Sequence, residues 1–576
     1  VPRSAIAAPS PLTLPKPRPG PAHARGGTVT GPYARPVIDA LDAAALVVHR
    51  TGAEPTAVQW SPTATVGDVT VATVTTADGW DWTLHVDRPT SLDAVAIEWD
   101  AGPVGPDPRV LVQGWQSWSP LGWRRLGVDH DPSRGGAIDF LRSVHHPDPA
   151  LCGPFALRSE MVGVLDLGTG QPRRSVGFVG GSRHDGTVRY RLEHGRVIVR
   201  AEAWLGGARI DPDAPRVLHP VMLGAGDDPA ALLEAWATRV GAAEHARTDA
   251  PFTVGWCSWY HWFERIDEAA FRDTLARASD WPFDVFQLDD GYQAAIGDWC
   301  TPNAKFPSSL DALADAVRAR RATPGLWLAP FLAAPDSAHA RAHPEHLARD
   351  RYGEPLVAMF NDIWGGFVLG LDPTAPETAA HLSDLGRTLR QAGYDYAKLD
   401  FTFSPNVPGV YADPTLTPAQ RVRAGYDAFR SGFGDDGFVL GCGAPLGACV
   451  GAVDALRIGP DVAPTWEVDT TTNTVWPGYE FAAPATRHAA EATVARAFMH
   501  RRLWVNDPDC VMLRTTGTDL TPEQSRAWAH TAAQGGAMVI VSDDLALLDA
   551  GHRALLDEVV TRGRAADDLR RGNAAP

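Results

Sequence analysis

The stretch YDYAKLDF, residues 394–401, decides the fold. Ala397 and Leu399 alternate with Lys398 and Asp400, so the run reads as a β-strand. A period of two then places the lysine and the aspartate on one face. Both charges are read as part of the strand itself and not as caps of the turn that follows.

Seven further apolar runs of the same kind follow from residue 251 onward. They are 253–260 (TVGWCSWY), 283–290 (FDVFQLDD), 324–331 (PGLWLAPF), 437–443 (GFVLGCG), 455–461 (ALRIGPD), 502–509 (RLWVNDPD) and 537–544 (AMVIVSDD). Helical segments separate most of them. SLDALADAVRARR has Leu310, Leu313 and Val317 at helical spacing, and TPAQRVRAGYDAF and TPEQSRAWAHTAA each open as a capping box with Pro at the first helical position. Continuous apolar strands alternating with helices predict a parallel sheet covered on both faces. Eight such units over 251–565 predict a (β/α)8 TIM barrel, with a doubly wound open sheet as the alternative. The run 367–371 (FVLGL) is a possible extra strand.

Upstream the pattern changes. Residues 28–228 carry many short alternating runs between Gly and Pro, and 188–204 (VRYRLEHGRVIVRAEAW) reads as a hairpin turning at His194-Gly195. This predicts an N-terminal β-sandwich. Residues 229–250 are read as a linker helix with Leu232, Trp236 and Val240 on one face. Residues 1–27, rich in Pro, Ala and Gly, are read as a disordered leader, and 566–576 as a polar tail.

Composition narrows the function. The formal net charge of −17 argues against nucleic-acid or anionic-membrane partners, and no apolar run has the length of a membrane helix. Six scattered cysteines without CxxC spacing predict reduced, mostly buried thiols and neither a disulfide framework nor a zinc site. No intact secretory signal opens the sequence, so a cytoplasmic location is expected, with secretion as the alternative. No cofactor and no metal are expected.

In a TIM barrel the active site lies at the C-terminal ends of the strands. Polar residues there are Asp289, Asp290, Lys398, Asp400, Asp461, Asn506 and Asp509. Asp507, Asp509, Asp543 and Asp544 are read as capping or turn residues. Several carboxylates at a barrel mouth suit glycoside hydrolysis, which needs one carboxyl group to donate a proton and another to attack or to activate water. Trp256, Trp259, Trp299 and Trp327 lie in or near strand ends, where an aromatic face suits a sugar, although barrel tryptophans more often belong to the core.

GWCSWYHWF (255–263), FQLDDGYQAAIGDW (286–299), GLWLAPF (325–331), AKLDF, LGCGAP (440–445) and RIGPDVAPTW (457–466) occur in that order, after QGWQSWSP (113–120) in the β-domain. RLWVNDPDC and VIVSDDL carry the pattern on to about residue 547. In this ordered set the chain resembles the α-galactosidases of glycoside hydrolase family 36, in clan D. The resemblance implies Asp400 as the nucleophile of a retaining mechanism and Asp461 as the acid/base. It implies Lys398 and Arg457 as donors to sugar hydroxyls, and Asp289 and Asp290 as the pair that reads O4 and O6. It places Trp327 on the pocket wall with Cys442 nearby, and Trp118 as a tryptophan sent in by the sandwich; Trp299 is counted with the substrate-binding residues.

It further implies a small-molecule or oligosaccharide substrate with a terminal α-galactosyl unit. A β-L-arabinopyranoside, an α-N-acetylgalactosaminide or transfer to a second sugar are the alternatives. Two departures stand out. Family members usually carry a C-terminal β-domain, for which the last segment leaves little or no room, and FNDIWGGFVLGLD (360–372) lacks the basic residue expected before LD. Two other classes compete: a class I aldolase using Lys398 as a Schiff base, and an inactive carbohydrate-binding protein.

Overall fold

The run around Lys398 forms Tyr396–Leu399, which is the fourth of eight parallel strands. The structure is a computed structural model that describes residues 43–129, 146, 156–470 and 480–572. In chain order the eight strands are β1 (Thr253–Cys257), β2 (Val285–Leu288), β3 (Thr323–Leu328), β4 (Tyr396–Leu399), β5 (Phe438–Gly441), β6 (Ala455–Arg457), β7 (Val505–Asp507) and β8 (Met538–Val541). Their order across the sheet is β7-β6-β5-β4-β3-β2-β1-β8. Between β7 and β8 the sheet is nearly closed through Val511. Its N–H donates to the Ile540 carbonyl at 2.7 Å, and its own carbonyl accepts from the Ser542 N–H at 3.0 Å. The architecture is therefore a TIM barrel and not an open doubly wound sheet.

The strands are shorter than the apolar runs suggested, and the difference matters at the site. β2 stops at Leu288, β4 at Leu399 and β6 at Arg457, so Asp289, Asp290, Asp400 and Asp461 all lie in the turns just beyond. Asp400 is thus the first residue past its strand, although its N–H still bonds the Leu328 carbonyl at 2.8 Å. The extra run near 367–371 stays outside the barrel: Gly366–Gly370 pairs antiparallel with Val357–Asn361 and with Leu332–Ala333 in a small separate sheet. Both predicted capping boxes form, at Thr417 with Gln420 and at Thr521 with Gln524.

The N-terminal domain consists of two antiparallel sheets, one of six strands and one of nine. Its core holds Trp80, Trp82, Trp99, Ile97, Tyr190 and Val199. The expected hairpin joins Asp185–Glu193 to Arg196–Ile210, with His194 at φ 49° and Gly195 at φ 74°. Two left-handed residues in succession give the turn whose twist matches its strands.

Helix Pro229–Ala243 buries Leu233, Trp236, Ala237, Val240 and Gly241, with Leu232 only half-buried. It binds both domains rather than merely linking them. The Trp236 indole donates to the Phe178 carbonyl at 2.9 Å, and its ring meets Phe498 at 6.3 Å. The final helix, Ala550–Arg571, corrects the reading of 566–576 as a tail. It continues because Asp567 is buried, accepting from His500 Nε2 at 3.0 Å and from Arg501 Nη2 at 2.7 Å.

Residues 1–27 lie outside the described residues. Among the described cysteines Cys257, Cys442, Cys449 and Cys510 are buried, Cys300 is exposed and none is paired; Cys152 lies outside the description. No helix among the described residues is long and apolar enough to cross a membrane.

The sandwich reaches the barrel through the loop GWQSW. The Leu446 N–H donates to the Trp115 carbonyl at 3.0 Å, and Gln116 forms an antiparallel bridge with Pro445. Arg496, fully buried, completes the joint. Its Nη1 donates to the carbonyls of Ser117 at 2.8 Å and Ile458 at 2.7 Å, and its Nη2 to that of Gln116 at 3.2 Å. Burial pulls this guanidinium down to about 9. One side chain thus ties the sandwich loop to the turn after β6. Lysine cannot span three carbonyls from one planar fork, so Arg496→Lys should lower the unfolding free energy by about 1–3 kcal/mol, read as a reduced urea midpoint at unchanged slope.

Candidate active site

The barrel mouth brings together every residue nominated around Lys398 and Asp400. Asp400 is buried, with its two oxygens held by different donors. The Trp327 indole donates to Oδ2 at 3.0 Å and the Phe401 N–H to Oδ1 at 2.8 Å. The second contact requires the chain to turn back at once, and Phe401 sits at φ 52°, in the left-handed region that bulky residues avoid. Such a cost is kept where surrounding packing over-determines the conformation. Here the packing is aromatic: the Phe401 ring meets Trp118 at 5.2 Å and Trp364 at 4.8 Å, both edge-on.

Lys398 has a different partner from the one its shared face with Asp400 suggested. Its Nζ donates to Asp289 Oδ2 at 3.0 Å. Burial by itself would lower the ammonium, but the Asp289 carboxylate, together with Cys442 and Asp400, outweighs it and holds the group well above its ordinary value. A lysine kept charged in this way is a poor Schiff-base former, which weighs against aldolase chemistry. Asp289 also accepts from Gln287, and its backbone N–H donates to Ser258 Oγ at 2.9 Å.

Asp290 faces the same region because Gly291, at φ 115°, turns the chain directly after it. It accepts from the Trp364 indole at 2.8 Å and from Gln293 Nε2 at 2.6 Å. Burial pushes its carboxyl up to about 6, against those two hydrogen bonds and with the help of the neighbouring charges of Asp289 and Asp400.

Asp461 stands on the turn after β6, its side chain 36% exposed. Arg457 Nη1 donates to it at 3.2 Å. The same guanidinium donates from Nε to Asp507 at 2.9 Å and pairs through Nη2 with Asp509 at 2.9 Å. Asp507 and Asp509 are therefore more than turn residues: they hold Arg457, and Asp509 also accepts the Tyr260 hydroxyl at 2.5 Å. Although about a third of the Asp461 side chain still meets solvent, partial loss of water around its carboxyl group, then the charge of Asp509, raises it to about 7 against the pull of Arg457. A carboxyl raised in this way and one whose two oxygens both accept N–H donors thus share one mouth.

The walls are aromatic. Trp327 is buried and contacts Trp299 at 5.8 Å and Trp364 at 6.1 Å. Trp299 is fully buried, so its role is to back Trp327 rather than to present a face to a sugar. Trp118 reaches the barrel from the sandwich, whereas Trp115 is core; the two diverge across a turn and not along an alternating strand. The Trp118 ring lies over Gly443, where a methyl group would come within 2.7 Å of it. Its indole nitrogen is buried without a hydrogen-bond partner. Cys442 is buried beside these charges, and burial raises its thiol well above the ordinary value.

Trp364 was not nominated from sequence. It occupies the turn of the hairpin Val357–Asn361/Gly366–Gly370, and the available signal was an aromatic residue before Gly365-Gly366. Arg496 lies in none of the quoted motifs, and Tyr260, although inside GWCSWYHWF, carries no local signal of its contact with Asp509.

The raised carboxyl of Asp461 has a thermodynamic consequence. Between the unfolded value near 4 and about 7 the folded chain binds the extra proton, so this group favours folding at low pH and loses that contribution as pH rises. Asp461→Asn removes the effect. Urea titrations at pH 4 and pH 8 should show the variant gaining stability relative to the native chain at the higher pH; a pH-independent difference would contradict the assignment.

Comparison with known proteins agrees with this geometry. The Melibiase family model matches residues 240–403. Alpha-galactosidase 1 of Pediococcus pentosaceus is 28% identical over 116 residues, 19% of this chain and 16% of that protein. Alpha-galactosidase AgaA of Geobacillus stearothermophilus is 25% identical over 119 residues, again 16% of its length. These matched segments thus span well under two thirds of the curated relatives. The solved structure of TtGalA, the α-galactosidase from Thermus thermophilus, in complex with p-nitrophenyl α-D-galactopyranoside is 27% identical. It aligns with a TM-score of 0.69 over 86% of this chain and 92% of its own. The GH36 AgaA structure, at 12% identity and a TM-score of 0.58, shares the fold. In fold and in the stretch that the Melibiase model matches, this chain resembles the α-galactosidases of glycoside hydrolase family 36.

Proposed function

We propose that the protein is a retaining, exo-acting glycoside hydrolase that releases terminal α-D-galactose. The observation that carries this reading is the division between Asp400, whose oxygens both accept N–H donors, and Asp461, raised to about 7 on the next turn but one of the barrel. In the first step an Asp400 oxygen attacks the anomeric carbon. The bond to the aglycone breaks, and the Asp461 proton passes to the leaving oxygen. In the second, Asp461 takes a proton from water, which displaces Asp400 and restores the original anomeric configuration. Lys398 and Arg457 keep the surrounding charge tolerable through both steps. The solved TtGalA complexes, with p-nitrophenyl α-D-galactopyranoside and with stachyose, support a galactoside as substrate.

Asp289 and Asp290 support galactose in particular. Each retains acceptor capacity beyond its protein contacts, and they lie together on one rim. An axial O4 and the adjacent O6 project to one side of the ring, where two such acceptors can meet both. Leaving one buried acceptor unpaired costs about 1–3 kcal/mol. Side-by-side kcat/KM for p-nitrophenyl α-galactoside, β-L-arabinopyranoside and α-glucoside should put the glucoside at least roughly tenfold below the galactoside. Preference for the glucoside would refute the sugar assignment, and preference for the arabinopyranoside would move it to a sugar lacking C6.

Asp400→Ala should lower kcat by several orders of magnitude while thermal unfolding stays cooperative. Asp461→Ala should cost about 10²–10⁴-fold, the usual worth of a positioned proton donor. NMR of the native reaction should show α-galactose first; β-galactose as the first product would overturn the retaining mechanism.

A further inference from the structure

The sequence HARAHPEH places His339, His343 and His346 four and three residues apart, and the fold brings a fourth histidine, His381, to them on the flank of the barrel. His339 belongs to the short helix Ala338–Ala342, His343 follows it, and His346 ends the turn Pro344–His346. His381 comes from a separate element, helix Pro376–Gln391. The rings of His339 and His381 lie 4.2 Å apart, and those of His339 and His346 5.2 Å apart. His346 and His381 are at 5.3 Å, while His343 stacks on His346 at 4.8 Å.

We propose that His339, His346 and His381 bind a divalent transition-metal ion of the zinc class. One ring nitrogen from each lies within 4.8 Å of the other two. His346 Nδ1 and His339 Nε2 are 3.4 Å apart, a hydrogen-bond contact whose shared proton an ion would displace. A tetrahedral ion with metal–nitrogen bonds of about 2.0–2.1 Å has ligand edges of about 3.3–3.4 Å, so this edge is already at its bound length. His381 Nε2 is buried without a hydrogen-bond partner, an arrangement that costs free energy unless something else meets the nitrogen. A neutral imidazole offers the lone pair of one ring nitrogen to an ion. Imidazole donors select zinc, nickel or copper over magnesium and calcium.

The scaffold around the three rings is fixed. Asp298 accepts the N–H groups of Ala338 and His339, both at 2.9 Å, and Ser337 Oγ caps the helix through the Ala340 N–H at 3.0 Å. The His346 carbonyl accepts from the Asp372 N–H at 2.8 Å and from Thr378 Oγ1 at 3.3 Å. An ion here would clamp the 335–346 connection to helix Pro376–Gln391. Its role is structural, because all three ligands belong to supporting elements rather than to the barrel mouth.

The test is titration of the chelator-treated full chain with Zn²⁺ by calorimetry and with Co²⁺ by visible absorption. One equivalent should bind, giving the absorption of a tetrahedral cobalt site. His339→Ala and His381→Ala should each weaken binding at least about a hundredfold, since even outer-shell partners are worth ten- to a hundredfold. Zinc should raise the melting temperature of the native chain but not of these variants. Zinc affinity unchanged in the variants, or no binding by the native chain, would overturn the proposal. Should a variant fail to fold, X-ray absorption of the zinc-loaded native chain decides: fewer than three imidazole nitrogens in the zinc shell refutes it. These readouts are independent of galactosidase activity.

Discussion

The site is governed by an excess of carboxylates over cations. Asp289, Asp290, Asp400, Asp461, Asp507 and Asp509 surround two buried cations, Lys398 and Arg457. Two like charges about 4 Å apart repel by about 4 kcal/mol at the effective dielectric of a protein surface. The mouth therefore cannot hold all six as anions without cost. The relief is distributed by geometry. Asp289 has the lysine, and Asp507 and Asp509 have the best of the arginine. Asp461 receives the third and longest contact and is left holding a proton. Asp290, which has no cation in contact among the described residues and accepts only from Trp364 and Gln293, is likewise raised, to about 6, so the surplus of carboxylates is shared across the cluster.

The barrel makes this crowding possible because its strands stop where the charges begin. Backbone within β2, β4 and β6 is paired on both sides, so the residues just beyond project into one space with their positions inherited from the sheet. Strain appears at the same places: Phe401 and Asp509 are both left-handed without being glycine. Each follows or forms part of a carboxylate turn, and each is held by contacts from several strands. The aromatic lining of Trp118, Trp327, Trp364 and Phe401 then withdraws the charges from water, which strengthens every interaction among them.

Much of this was legible in the sequence because it is periodic or local. Eight apolar runs marked eight strands, Thr-Pro-x-Gln marked two helix starts, and His194-Gly195 marked a turn. Ordered motifs pointed to Asp400 and Asp461. Illegible were the pairings that only closure of the barrel creates. Lys398 shares an alternating face with Asp400 but finds Asp289, on a neighbouring element two strands away across the barrel floor. Asp507 and Asp509 look like turn residues until Arg457 lies opposite them. Trp299 has the same local signature as Trp327, and only packing shows which of the two backs the other. The completed histidine cluster is invisible for the same reason, since His381 is remote in sequence from the segment that carries the others.

The guanidinium of Arg496 also imposes an order in time. Its partners Gln116 and Ser117 precede it by 380 and 379 residues. At translation rates of roughly 5–20 residues per second, the sandwich loop waits on the order of 20–75 s before the side chain that fixes it has been made. During that interval the sandwich can fold, but Trp118 has no barrel to lean on and the carbonyls of its loop face water. The wall that Trp118 supplies is consequently set late, after the sandwich that carries it has been made, and the strands and helices beyond Arg496 are added later still.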